Sequence, residues 1–146
     1  MMRPFLRYLL SGVSIWVIVD YTTAFNPDMA RWVQHMPDIW LFYLGYPLIF
    51  AYLIYVRDWK DRRLFGAMLV LAFIIEVIFS NNSLLYTFPI LLVMNPVAVA
   101  IYSLVTFIPK WFTENEITRN RKAVIILVVV WVIVSILNYV TNINAS

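Results

Sequence analysis

Apolar residues run through this chain in five long blocks, separated by short stretches of charged, polar and helix-breaking residues. A hydrocarbon core of ~30 Å takes about 20 helical residues at 1.5 Å each. Stretches of that size fall at 5–23, 39–56, 64–80, 89–108 and 123–141. The pattern therefore predicts an all-α integral membrane protein, a bundle of five transmembrane helices forming one domain over residues 1–146. Arg3 and Arg7 precede the first block as they would in a secretory signal, but its apolar run is long enough to span, so it reads as a membrane helix.

The basic residues give the bundle a direction. Arg3 and Arg7 lie before the first block. Arg57, Lys60, Arg62 and Arg63 lie between the second and third, and Lys110, Arg119, Arg121 and Lys122 between the fourth and fifth. Only Arg31 falls in a loop of the other set. Lys and Arg resist translocation, so the expected arrangement is a multi-pass protein of the cell membrane, N-terminus cytoplasmic and Ser146 outside.

The connections fit that threading. Asn26-Pro27-Asp28 and Met36-Pro37-Asp38 bracket the first outer loop. Asp38 is placed to cap the second helix, with residues 29–36 as a surface-lying amphipathic stretch or an irregular loop. Residues 57–63 read as a tight, solvated cytoplasmic turn. Thr113-Glu114-Asn115-Glu116 has the spacing of a capping box that would open a short helix before Arg119. Asn81-Asn82-Ser83 and Asn144-Ala145-Ser146 match the glycosylation sequon, a weak signal at this length.

Composition narrows the chemistry. The chain is 63% hydrophobic and 13% charged, where a soluble domain carries about 25% charged residues. The net charge of +3 belongs to membrane borders and anionic head groups rather than to nucleic acid. The absence of Cys excludes disulfides, iron–sulfur clusters and thiolate metal sites within the chain, and the single His35 excludes bis-histidine haem ligation. His35 with Asp28 and Asp38 is too loosely spaced for a metal site. Lys60, Lys110 and Lys122 all lie at or outside the borders, which argues against a buried retinal Schiff base. No cofactor is expected, although a bound lipid or isoprenoid fits the 25 aromatic residues, six Trp, nine Tyr and ten Phe.

Two carboxylates interrupt the blocks, Asp20 and Glu76. A charge in hydrocarbon costs several kcal/mol, so such groups turn inward, find partners and mark candidate sites. At 1.5 Å per residue Glu76 lies ~6–10 Å below the outer face, Asn95 ~9 Å and Asp20 ~5 Å. Tyr43 and Tyr46 in the second block, and Asn138 and Tyr139 in the fifth, reach the same layer. Ala72, Glu76, Ser80 and Ser83 share one helical stripe, and Asn95, Ala98 and Tyr102 share another, so Glu76 is expected to face Asn95. Pro47 and Pro96 would free carbonyls at that depth, suggesting a cavity open to the outside. The candidate ligand or ion-pathway residues are Glu76, Asn95, Asp20, Tyr43 and Tyr46, with Glu76 as the acid or base of any reaction.

Two functional readings follow. Minimal loops, the lack of an internal repeat and a fifth block almost wholly of Val, Ile and Leu favour an accessory or structural subunit packed against other membrane subunits or a second copy. The alternative is a proton- or cation-coupled carrier or channel, or an intramembrane enzyme on an isoprenoid-like substrate, built on Glu76 and Asn95.

Overall fold

The computed structural model describes residues 2–145, so Ser146, expected outside, lies outside the described residues. Among those residues every element is helical. α1 (Met2–Asp20) runs on into a π-turn at Tyr21–Phe25; α2 spans Met29–Tyr55. α3 (Asp61–Phe73) continues as a π-helix at Ile74–Phe79, followed by a 3₁₀ turn at Ser83–Leu85. α4 spans Leu91–Thr113 and α5 Arg121–Ala145. Four helical stretches are long and apolar enough to cross a membrane: Met2–Phe25, Met29–Tyr55, Leu91–Thr113 and Arg121–Asn144.

The third predicted block differs from the others. Its helical run, residues 61–79, holds Asp61, Arg62, Arg63 and Glu76, a charge load that sets it apart from those four. The run also changes pitch beneath Glu76, where Ser80 N–H bonds Ile75 O at 2.8 Å and Asn82 N–H bonds Glu76 O at 2.8 Å. The run ends at Phe79, so the expected stripe does not continue through Ser80 and Ser83.

Two other local expectations are corrected. α2 does not begin at Asp38. Asp28 caps it, its carboxylate accepting the Arg31 N–H at 2.9 Å, and the helix passes unbroken through Pro37 and Pro47. The residues before Pro37 are held helical from below by that cap, which outweighs proline's bias against a helical predecessor. Thr113 closes α4 instead of opening a capping box: Glu114 turns back to Lys110 at 2.7 Å, and Glu116 accepts from Arg119 at 2.8 Å. The left-handed residues Asp58, Asn81 and Asn115 all lie in connections, and Asp and Asn bear that backbone best.

α4 is the centre of the bundle, packed against α1, α3 and α5, while α2 packs on α1. Every residue from Tyr102 to Phe107 is buried. Contacts at the two ends fix the relative directions of the helices. At one end Arg7 lies over the Phe112 ring, 5.7 Å from its centroid, and Lys110 Nζ bridges Asp61 at 3.1 Å and Glu114 at 2.7 Å. At the other end Trp131 donates to Thr22 at 2.8 Å, and the Asn138 and Asn142 amides donate to Asn26 O at 3.2 and 2.9 Å. Neighbouring helices therefore alternate in direction, and the three basic segments gather at one end.

Candidate functional site

The five candidate residues separate into two clusters and a plug between them. Glu76 sits on the π-helix, a turn type concentrated at functional sites. Its carboxylate takes one donor on each oxygen: Tyr102 Oη at 2.8 Å on Oε1 and Asn82 Nδ2 at 3.0 Å on Oε2. With its backbone N–H on Glu76 O, Asn82 clamps this residue twice.

Glu76 lines a cavity of about 460 Å³ together with Asn95. Leu69, Ala72, Phe73, Val77, Ala98 and Val99 supply its apolar walls, and Tyr86 joins Glu76 and Asn95 as a polar group. Ala72 and Ala98 lie beside the two polar residues, where their small side chains leave room. The stripes read from the sequence thus meet at one cavity, with Tyr102 rather than Asn95 as the direct partner of Glu76. Tyr86 is held by its own bond to Asn81 Oδ1 at 2.9 Å.

Asp20 forms the second cluster. Tyr43 Oη donates to its carboxylate at 2.6 Å and accepts from Trp32 Nε1 at 3.1 Å. This chain ties the first turns of α2, expected to lie as a separate surface stretch, onto the end of α1. His35 packs against Phe25, ring centroids 5.2 Å apart, and approaches Asp38 at 3.8 Å.

Tyr46 points into the core, only 3% exposed. Its ring stacks on Trp16 at 5.2 Å and lies 5.8 Å from Tyr102, while Phe50 covers its other side at 4.7 Å. Thr106 Oγ1 gives its one proton to Tyr102 O at 2.7 Å, so Tyr46 Oη donates to Thr106 at 2.7 Å. Tyr8 Oη donates to Thr106 O at 3.0 Å. Below lie Leu64 and Met68, both fully buried. The bundle axis beneath the carboxylate layer is therefore filled with side chains.

Tyr102, Thr106 and Asn82 were not among the candidate site residues, although Tyr102 was placed on the stripe of Asn95. A signal for two of them exists: Asn95, Tyr102, Thr106, Lys110 and Thr113 recur at helical spacing and form the polar stripe of α4. Asn82 gives no such signal, since its role follows from a π-turn that brings it back over Glu76.

No family model matches the chain, and no curated protein or solved structure matches it either.

Proposed function

We propose that this chain is a five-span protein of the cell membrane that binds a lipid-soluble, isoprenoid-like molecule beside Glu76, whose carboxylate receives the hydrogen of the ligand's polar end. The carrying observation is the cavity itself: apolar walls with a few converging polar groups, one of them a carboxylate fixed on both oxygens by Tyr102 and Asn82. A site of that make-up suits a mostly apolar ligand with one hydrogen-bonding head. The packed column of Tyr8, Tyr46, Phe50 and Thr106 below it favours binding over conduction, since a continuous ion path needs polar or hydrated lining.

The span count rests on residues 61–79, an unbroken helical rod of about 28 Å against a core of ~30 Å. The orientation rests on the basic segments gathered at one end, which is taken as cytoplasmic. Reporter domains fused after Lys60 and after Ser83 test both points: the first is expected to read inside and the second outside. A pair reading on the same side removes the third span.

The ligand site is tested with geranylgeraniol as probe, added to the purified protein in lipid nanodiscs. Hydrogen bonds to a charged group contribute about 1.5–3 kcal/mol. Glu76→Gln is accordingly expected to weaken binding of the alcohol by at least tenfold, Asn95→Ala to weaken it less, and Asp38→Asn to leave it unchanged. The accessory-subunit reading has its own support in α5, none of whose apolar window is buried. If Glu76→Gln and Asn95→Ala bind the probe like the wild type, and the chain leaves the membrane only with larger subunits attached, that second reading replaces the first.

A further inference from the structure

At the basic end of the bundle a second cavity of about 520 Å³ opens between α3 and α5. Its floor is Ser103, Phe107 and Trp111 of α4, and its walls are Phe65 of α3 and Ile126 and Leu127 of α5. From Ser103 to Trp111 it follows eight residues of helix, about 12 Å along the bundle. Its mouth carries Asp61, Arg62 and Ala123. Ala123 also borders a cavity of about 450 Å³ formed by residues 118–123, which brings Arg121 and Lys122 to the neighbouring turn.

The charges at that mouth are uneven in a way that selects a partner. Asp61 shares Lys110 with Glu114, at 3.1 and 2.7 Å, and Arg119 is held by Glu116 at 2.8 Å. Arg62, Arg121 and Lys122 are exposed and belong to none of the ion pairs among the described residues. The groove floor beside these charges is ring surface, with Phe107 and Trp111 stacked at 5.7 Å.

We infer that this groove is a binding site for an anionic phospholipid, one acyl chain lying on Phe107 and Trp111 and the phosphate meeting Arg62, Arg121 and Lys122. Charge complementarity chooses the occupant: a neutral lipid would fill the apolar floor but leave three adjacent cations unanswered. Basic residues at a cytoplasmic border each contribute about 1 kcal/mol toward anionic lipid, which is about fivefold in affinity. The site shares no lining residue with the Glu76 cavity and lies nearer the other end of α3 and α4.

The test uses the full chain in detergent, delipidated and then titrated with phosphatidylglycerol, phosphatidylcholine or inorganic phosphate, with retained lipid read by native mass spectrometry. Phosphatidylglycerol is expected to bind the wild type and survive activation, phosphatidylcholine to wash off, and phosphate neither to bind nor to compete. Replacing Arg62, Arg121 and Lys122 together by Gln is expected to weaken retention by about a hundredfold. The Arg57→Gln, Arg63→Gln pair removes charge elsewhere at the same end and should retain the lipid. Equal retention of the two lipids by the wild type overturns the site, even if the triple variant fails to fold. So does equal weakening by the triple and the control pair, or displacement by phosphate alone. Geranylgeraniol binding by the triple variant should match the wild type, which separates failure here from failure at Glu76.

Discussion

Trp16→Ala is expected to remove about 3–5 kcal/mol of stability, the range for truncating a buried Trp or Phe. Trp16 is 8% exposed, stacks on Tyr46 at 5.2 Å and meets Tyr102 at 5.4 Å. Aromatic pairs add roughly 0.5–1.5 kcal/mol beyond the area they cover, so two partners are lost at once. The loss also reaches the site, because Tyr102 carries the hydrogen bond to Glu76 and leans on Trp16 from behind. Trp16→Phe separates ring from donor. The Trp16 indole N–H is buried without a partner among the described residues, so Phe gives up no hydrogen bond and should cost less than about 1.5 kcal/mol. Trp40, 55% exposed, is the control, and Trp40→Ala should stay within about 0.5 kcal/mol. Thermal unfolding in one detergent measures all three. A Trp16→Ala protein as stable as Trp40→Ala contradicts the aromatic column.

Position along each helix was readable from the chain, and azimuth was only partly so. Hydrophobic length and a fixed rise per residue place Asp20, Tyr43, Tyr46, Glu76 and Asn95 in one layer before any contact is known. Which neighbour each faces depends on how the helices are rotated about their axes. Stripes carry that rotation while the pitch stays constant, and Asn95, Ala98 and Tyr102 behaved accordingly on α4. They fail where the pitch changes, as at Glu76, where the π-turn stops the stripe and returns Asn82 over the carboxylate. Tyr46 lies on the wrong face, because the stripe of α2 that holds it also holds Phe50 and packs on Trp16.

Helix ends were harder to place than helix interiors, for a related reason. Asp28 and Asp38 each follow a proline by one position and are equally plausible caps when read locally. What decides between them is tertiary: Trp32 reaches Tyr43 and, through it, Asp20, so the extra turns of α2 gain an anchor on α1. Likewise Thr113 and Glu116 had capping roles by spacing, but α4 runs on to Thr113, Glu114 turns back to the nearly buried ammonium of Lys110, and Glu116 pairs with Arg119. Charged groups near an interface follow the least solvated partner within reach, and sequence spacing cannot rank those partners.

Gly12→Leu is expected to force α1 away from α2 and to cost at least about 3 kcal/mol, the upper part of the range for overpacking. A Cβ built on Gly12 lies 3.0 Å from Cβ of Pro47, a carbon on a ring that cannot rotate aside, and 3.8 Å from Cε1 of Tyr8. Alanine needs a shift of only a few tenths of an ångström and gains up to about 1 kcal/mol in helix propensity, so Gly12→Ala should fall within about 1 kcal/mol of the wild type. Gly45 and Gly66 have nothing within 4 Å of the same built carbon, and Gly45→Leu should therefore be tolerated where Gly12→Leu is not. The damage should also travel. The seam that Gly12 keeps tight continues to the Asp20–Tyr43 bond eight residues, or about 12 Å, further along α1. If the seam opens, Tyr43→Phe costs less in the Gly12→Leu background than in the wild type. Additive losses in that double-mutant cycle, or equal stability of the two leucine variants, would show that α1 and α2 do not meet at this close approach.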